Sequence, residues 1–168
     1  MEIKDRIAVV TGAASGIGRA LAECFARNGA ARVICADINR EGAEETADLC
    51  GGIAHKVDVS SEDQIQRLVE TTEAEIGPID LFCSNAGIAI SGGPEVGNDG
   101  WQKIWEINTM AHVWAARHVV PRMIGRGGGY LLNTASAGWP AVADRLGTLC
   151  RHQARCSRPG RMAGVDLW

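Results

Sequence analysis

The sequence predicts an α/β fold in which helices cover both faces of a parallel β-sheet. Short apolar runs alternate with helix-like stretches through the first 136 residues, and this alternation is typical of β–α–β units. The first run, at residues 7–11, lacks a polar alternation, as is typical of a strand buried on both faces, whereas the third, at residues 53–58, alternates. Glycine or Gly-Pro follows several of the helical stretches and stops them.

Five strands are expected, at residues 7–11, 32–37, 53–58, 80–84 and 130–135. Helices are expected at residues 16–28, 40–49 and 101–124, with a kink at Pro121. The clearest helix lies between the third and fourth strands. Ser60, with Asp63 three residues later, is its predicted N-cap, and Gly77-Pro78 ends it. Its predicted buried face consists of Ile65, Leu68, Val69, Thr72 and Ile76.

The composition indicates one globular domain. The chain has 168 residues, of which 46% are hydrophobic and 22% charged, and its net charge is −3. This charge gives no indication of a nucleic-acid partner. The sequence shows neither a membrane-spanning run nor the layout of a signal peptide, and its six cysteines form no CxxC motif. We therefore expect no membrane association and a cytoplasmic location.

The last 30 residues differ from the rest. Residues 137–168 contain five Arg, two Asp and no Lys or Glu, so this segment is basic in an otherwise acidic chain. Its apolar residues follow neither the strand nor the helix period. We predict an α/β domain at residues 1–138 and a basic, irregular tail at residues 139–168.

A glycine-rich loop follows the first predicted strand and opens the first predicted helix. It reads Thr11-Gly12-Ala13-Ala14-Ser15-Gly16-Ile17-Gly18. Such a loop lets backbone N–H groups at a helix N-terminus approach a pyrophosphate. Asp37 ends the second strand, 19 residues after Gly18, where a carboxylate can accept hydrogen bonds from ribose hydroxyls. The pattern predicts a Rossmann-type site that binds NAD rather than NADP, although Arg40 lies nearby; the alternative is a structural glycine turn.

Several motifs in order resemble the short-chain dehydrogenase/reductase family. The loop at residues 11–18 is similar to that family's TGxxxGIG element, and Ser84-Asn85-Ala86-Gly87 to its NNAG element. Asp58-Val59 resembles the pair that lies against adenine. Asn108 and Ser136 fall where the family has its active-site Asn and catalytic Ser.

The resemblance implies a fold, a cofactor and a reaction. The fold would be a doubly wound parallel sheet in the order 3-2-1-4-5, incomplete at its C-terminal edge. Predicted cofactor-binding residues are Thr11, Gly12, Ser15, Gly16, Ile17, Gly18, Asp37, Asp58, Val59, Asn85, Ala86 and Gly87. The reaction would move a hydride between nicotinamide and a small alcohol or carbonyl substrate, with Ser136 and Asn108 as catalytic residues. The family is homo-oligomeric, and no metal is implied.

The sequence departs from the family at the proton donor. The family places a Tyr 13 residues after its Ser and a Lys four residues later, but these positions are Leu149 and Gln153 here. The only tyrosine, Tyr130, lies in the fifth predicted strand, and the last lysine is Lys103. No YxxxK motif occurs in the chain. We therefore expect little or no catalytic activity.

A frame change explains the departure. If Leu149 is encoded by CTA and Gln153 by CAA, reading one base later gives Tyr and Lys in the family's register. Our hypothesis is a truncated family member that leaves its original frame between Ser136 and Trp139. A non-catalytic dinucleotide-binding module whose basic tail contacts a partner is the alternative. Two further interpretations of the tail stay open, namely a metal site at Cys150, His152 and Cys156, or binding of phosphates by its arginines.

Overall fold

The structure, a computed structural model, describes residues 2–135 and contains one five-stranded parallel sheet. The strands are β1 (Ile7–Thr11), β2 (Arg32–Asp37), β3 (Ile53–Lys56), β4 (Leu81–Ser84) and β5 (Tyr130–Asn133). Their order across the sheet is β3-β2-β1-β4-β5, so the predicted fold class and strand order are confirmed. The register pairs Ala8 with Val33 of β2 and with Leu81 of β4.

Helices connect the strands. They are α1 (Gly16–Arg27), α2 (Arg40–Cys50), α3 (Glu62–Glu75), α4 (Asn98–Trp105) and α5 (Ala111–Gly125), with a π-helical turn (Glu106–Met110) between the last two. All the predicted helices are present. The ends of α1, α2 and α3 lie within two residues of the predicted ends.

The core consists of two layers, one on each face of the sheet. Alternate residues of β1 face opposite layers, because successive side chains of a strand point to opposite sides. Ile7 and Val9 pack with α3 and α5, whereas Ala8 and Val10 pack with α1 and α2. Every residue of β1 is buried, as its continuous apolar sequence predicts.

The third strand and the helix after it begin and end differently from the prediction. The strand stops at Lys56 instead of residue 58, because the Asp58 carboxylate accepts hydrogen bonds from the backbone N–H (2.9 Å) and hydroxyl (2.7 Å) of Ser60 and turns the chain. Ser60 is therefore not the helix cap. Ser61 occupies the N-cap position of α3, without a side-chain capping bond.

The long helix predicted at residues 101–124 starts earlier and changes its winding. It begins at Asn98, widens into the π-helical turn at Glu106–Met110, and continues through Pro121 to Gly125. Pro121, at which a kink is predicted, lies within the last turn and a half of α5. The π-helical turn carries Asn108, one of the predicted catalytic residues.

At the end of the described region, β5 pairs with β4 on one side only. Tyr130, Leu131 and Leu132 are half-buried, whereas all of β4 is buried. The tail at residues 139–168 and the domain boundary at residue 138 lie outside the described residues and stay predictions. Among the helices that the structure describes, none has the length and apolar character needed to cross a bilayer.

Candidate functional site

The direction in which the chain crosses the sheet changes between β1 and β4. From β1 the chain proceeds to β2 and β3, whereas β4 and β5 lie on the other side of β1. In open α/β sheets, ligands bind outside the carboxyl ends of the strands at such a switch point. The loops after β1 and β4 begin at this point, so the structure brings the two predicted cofactor motifs together.

One buried hydroxyl joins these two loops. Thr11 is 1% exposed, and its Oγ1 accepts hydrogen bonds from the backbone N–H groups of Asn85 (3.0 Å) and Ala86 (3.1 Å). The Asn85 side chain donates to the Thr11 carbonyl (3.1 Å) and accepts from the Thr134 hydroxyl (3.0 Å). The side chains of Thr11 and Asn85 thus hold the ends of β1, β4 and β5 in place.

The three glycines of the first loop have different surroundings. A Cβ on Gly12 would lie 2.8 Å from the Ala86 Cα, and a Cβ on Gly18 would lie 2.0 Å from the Gly12 carbonyl oxygen. These two glycines therefore allow the loops and α1 to pack closely. Gly16, with a φ of +55°, has nothing within 4 Å of its Cβ direction, so it faces open space at the N-terminus of α1.

The N-terminus of α1 exposes two further predicted residues. Ser15 occupies the N-cap position in an extended conformation, and its side chain makes no capping hydrogen bond. Ile17, in the first turn, is 42% exposed. The first N–H groups of a helix have no intrahelical partners and carry a partial positive charge. This end of α1 can therefore accept an anionic group.

Asp37 is tied to the same loop. Its Oδ2 accepts a hydrogen bond from the Ala14 backbone N–H (2.9 Å), and its Oδ1 accepts one from Asn39 (2.9 Å). The side chain is half-buried at the carboxyl end of β2. Each carboxylate oxygen can accept a further hydrogen bond, so the position is compatible with contacts to ribose hydroxyls.

Two residues that the sequence analysis missed, Arg19 of α1 and Thr46 of α2, support the glycine loop. Arg19 donates hydrogen bonds to the Ala14 carbonyl (2.6 Å) and the Thr46 hydroxyl (2.9 Å), and it forms an ion pair with Glu45 (2.9 Å). Thr46 is fully buried and donates to the Ala13 carbonyl (2.8 Å). No local sequence signal could reveal the contacts between Arg19 and α2, because β2 lies between α1 and α2 along the chain.

The predicted adenine-contacting pair follows β3. Val59 is 8% exposed and belongs to the core layer beneath α3. Asp58 is half-buried, its carboxylate accepts from Ser60, and its backbone N–H donates to the Gln64 side chain (3.0 Å). These bonds fix the chain direction after β3, next to the carboxyl end of β2.

Asn108 holds the loop after β4. Its Oδ1 accepts a hydrogen bond from the Ile88 N–H (2.9 Å), and its Nδ2 donates to the Ile88 carbonyl (2.8 Å). The backbone of Gly87 also lies beside this side chain, since a Cβ there would be 3.4 Å from the Asn108 Oδ1. Asn108 therefore stabilises the segment that contains the predicted residues Ala86 and Gly87.

A second pair missed by the sequence analysis lies beneath this loop. Ser84, at the end of β4, is buried, and its hydroxyl shares a 2.7 Å hydrogen bond with the His112 Nδ1. His112 follows Asn108 by one helical turn. Burial lowers the pKa of His112, opposed by a smaller effect of the Asn108 backbone, so the imidazole is more readily neutral than usual.

The predicted catalytic serine and the alternative metal site concern residues that the structure does not describe. Ser136, the predicted catalytic Ser, and the alternative metal ligands Cys150, His152 and Cys156 lie outside the described residues. Within residues 2–135, no three His, Cys, Asp or Glu side chains cluster as metal ligands.

Comparisons with known proteins agree with this geometry. The short chain dehydrogenase family matches residues 6–140. The chain is 41% identical over 149 residues to a 1-deoxy-11-beta-hydroxypentalenate dehydrogenase of Streptomyces exfoliatus, covering 81% of this chain and 52% of that relative. The chain spans about half the length of the curated relatives it matches.

Two solved structures are similar to the described fold. A short chain dehydrogenase/reductase from Burkholderia phymatum in complex with NAD superimposes with a TM-score of 0.77 and 31% identity, covering 81% of this chain and 50% of that one. A 7 alpha-hydroxysteroid dehydrogenase complexed with NADH and 7-oxo glycochenodeoxycholic acid gives a TM-score of 0.76 and 28% identity, covering 80% of this chain and 55% of that one.

Proposed function

The chain belongs to the short-chain dehydrogenase/reductase family, and from this premise we propose that it binds NAD at the carboxyl ends of β1, β2 and β4 but does not complete the family's proton transfer. Binding is proposed for the loop at residues 11–18, for Asp37 and for the segment at residues 84–87. Related proteins act on alcohol or carbonyl compounds, and we assign the same substrate class to the intact catalytic form of this chain.

The observation that carries the proposal is the arrangement of the glycine loop. Gly12 and Gly18 pack the loop against residue 86 and the start of α1, and Gly16 is left facing open space. A pyrophosphate fits such a cradle, because unpaired backbone N–H groups and the positive end of α1 point towards it. Asp37 is fixed to the same loop through Ala14, and this supports the assignment of its carboxylate to the ribose hydroxyls.

The charges around Asp37 favour NAD over NADP. A 2′-phosphate would lie near the Asp37 carboxylate and be repelled by it. Arg40 could compensate, but its guanidinium is paired with Glu44 (2.7 Å) on the exposed side of α2. A phosphate would have to break this ion pair before Arg40 could neutralise it.

The missing part of the reaction is the proton donor. NAD, when bound, supplies a hydride acceptor, and a side chain must take the proton of the substrate hydroxyl. The single tyrosine, Tyr130, lies in β5 beside Leu81, and Leu149 and Gln153 occupy the positions of the family's Tyr and Lys. Asn108 has both side-chain polar atoms bonded to Ile88. We therefore assign binding without turnover to the 168 residues, as in a non-catalytic dinucleotide-binding module.

Isothermal titration calorimetry tests the binding. We expect a micromolar dissociation constant for NAD and weaker binding of NADP. Asp37→Ala should weaken NAD binding at least about tenfold, because a charge-assisted hydrogen bond contributes about 1.5–3 kcal/mol. Asp48→Ala is the matched control, since it removes an exposed carboxylate of α2 and should leave the affinity unchanged. No heat of binding, or equal effects of the two variants, would contradict the proposed site.

A separate assay tests the absence of turnover. The purified chain is incubated with NAD and a panel of secondary alcohols, and the absorbance of NADH is followed. We expect no rate above that of the buffer. A rate that Ser136→Ala abolishes would show that the chain is catalytic and would overturn this part of the proposal while leaving the binding site intact.

A further inference from the structure

Two cysteines on neighbouring elements bring their sulfur atoms together. Cys35 is in the middle of β2 and fully buried, and Cys50 is the last residue of α2 and half-buried. Their Sγ atoms are 3.8 Å apart. The other two cysteines in the described part of the chain, Cys24 and Cys83, are exposed and buried respectively.

The connection from α2 to β3 holds this pair in place. Gly51 ends α2 with a φ of +63°, and the Gly52 N–H donates to the Ala47 carbonyl (2.8 Å). The next residue, Ile53, starts β3 and pairs with Ile34. The tight turn therefore keeps Cys50 beside the strand that carries Cys35.

Gly52 also keeps open the space that the two sulfur atoms share. A Cβ at this position would lie 3.0 Å from the Cys50 Sγ and 3.5 Å from the Cys35 Sγ. No side chain separates the two thiols there. A disulfide needs a sulfur–sulfur distance of about 2.05 Å. The 3.8 Å between the two Sγ atoms must therefore shorten by about 1.8 Å.

We propose that Cys35 and Cys50 are a redox-modification site, and that they form a reversible disulfide that fastens the end of α2 to the centre of β2. Glutathione disulfide is the oxidant. The Cys50 thiolate attacks one sulfur of glutathione disulfide, forms a mixed disulfide and releases one glutathione. The Cys35 thiolate then attacks the Cys50 sulfur and releases the second glutathione. The two protein thiols lose two electrons and two protons, and glutathione disulfide becomes two glutathione thiols.

The order of these steps follows from exposure. Cys50 is half-buried and can meet a glutathione molecule, whereas Cys35 is enclosed. Burial, together with a smaller effect of Cys50, raises the pKa of Cys35 to about 12. Since the thiolate is the attacking form, the second step should be the slow one and should accelerate as the pH rises from 7 to 9.

The bridge would stabilise an element that also supports the glycine loop. Thr46, one turn before Cys50 in α2, donates to the Ala13 carbonyl, and α2 packs on β2 and β3. A cross-link that closes a 16-residue segment restricts the unfolded chain. The bridge forms whether or not NAD binds, so its test is independent of the proposed function.

The test is oxidation of the full chain under native conditions. The protein is equilibrated with a series of glutathione to glutathione disulfide ratios, and free thiols are alkylated. Linked peptides are then identified by mass spectrometry. We expect the peptide pair containing Cys35 and Cys50 to dominate, at least tenfold above its yield after the same oxidation in 8 M urea. Equal yields in the two conditions, or an unlinked Cys50–glutathione adduct as the end product, would overturn the proposal.

Variants separate this pair from the other thiols. Cys50→Ser should abolish the linked peptide and the rise in Tm of about 5–10 °C expected for the oxidised chain. Cys24→Ser, which changes an exposed cysteine of α1, is the matched control and should leave both unchanged. A linked peptide that depends on Cys24, or an oxidised wild-type chain that melts at or below the Tm of the reduced chain, would contradict the proposal.

Discussion

Thr11 and Thr72 are both buried threonines, but their hydroxyls have opposite surroundings. The Thr11 hydroxyl accepts two backbone N–H groups of the loop after β4. The Thr72 hydroxyl, in α3, is the one fully buried side-chain N or O atom without a hydrogen-bond partner among residues 2–135. A buried hydroxyl that is bonded stabilises the fold, whereas an unbonded one costs desolvation free energy.

Replacing each threonine by valine should therefore have effects of opposite sign. Thr11→Val should lower the free energy of unfolding by about 1–3 kcal/mol, because two buried N–H groups lose their acceptor. Thr72→Val should leave it unchanged or raise it by up to about 1 kcal/mol. Urea unfolding followed by circular dichroism measures both. Equal losses of stability would show that the Thr11 hydrogen bonds contribute nothing specific.

His112 should make the stability of the fold depend on pH. Burial lowers its pKa in the folded chain, so the unfolded chain binds the proton more readily. The stability contributed by the neutral imidazole is present above its ordinary pKa of 6.5 and is lost as the pH falls through the lower value of the folded chain. Tm measured from pH 8 to pH 5 should fall less steeply for His112→Gln than for the unchanged chain.

His55→Gln is the matched control for this experiment. His55 lies in β3, away from Ser84, and makes no side-chain hydrogen bond to another described residue. The interpretation fails if His112→Gln and His55→Gln give the same slope.

At the scale of elements, the sequence predicted the helices, strands and loops whose positions depend on local composition. Short apolar runs, and an alternating run for β3, identified all five strands, and the glycine loop and Asp37 marked the carboxyl edge of β1 and β2. The Arg19 and Ser84–His112 contacts could not be predicted, because they join residues far apart in the chain. The strand β3 was predicted two residues too long, since an alternating pattern does not show that Asp58 will bond to Ser60.

The π-helical turn was missed for a similar reason. Its buried residue, Ile107, continues the apolar spacing of α5, so the pattern gives no sign of an extra residue in the turn. Such turns are rare and frequently occur at functional sites. Here the turn carries Asn108, whose side chain bonds to both backbone groups of Ile88.

Removing this side chain should loosen the loop after β4. Asn108→Ala should lower the free energy of unfolding by about 1–2 kcal/mol, because two hydrogen bonds to the Ile88 backbone are lost. It should also weaken NAD binding measured by calorimetry. Asn98→Ala, in the exposed first turn of α4, should change neither. If Asn108→Ala binds NAD normally, the hydrogen bonds of Asn108 are not what holds the loop after β4 in place for binding.

At the scale of the whole molecule, the first part of the chain follows the family's sequence pattern, and the last part does not. Residues 6–140 match the family, and the described sheet has the change of strand direction between β1 and β4 at which the NAD site is proposed. From residue 139 onward the residues no longer follow the family's Tyr and Lys pattern. The last described strand, β5, ends at Asn133, before that segment begins.

A change of reading frame would account for this division, because with CTA for Leu149 and CAA for Gln153 the shifted frame encodes Tyr and Lys at the spacing from Ser136 that the family requires. We predict that the coding DNA has CTA for Leu149 and CAA for Gln153, so that reading one base later encodes both residues. Sequencing of the coding DNA from codon 136 onward measures this directly. Any other codon at either position would exclude the frame change and favour a binding module with its own basic tail. That outcome would not affect the proposal of NAD binding, because every described residue assigned to the proposed site precedes codon 136.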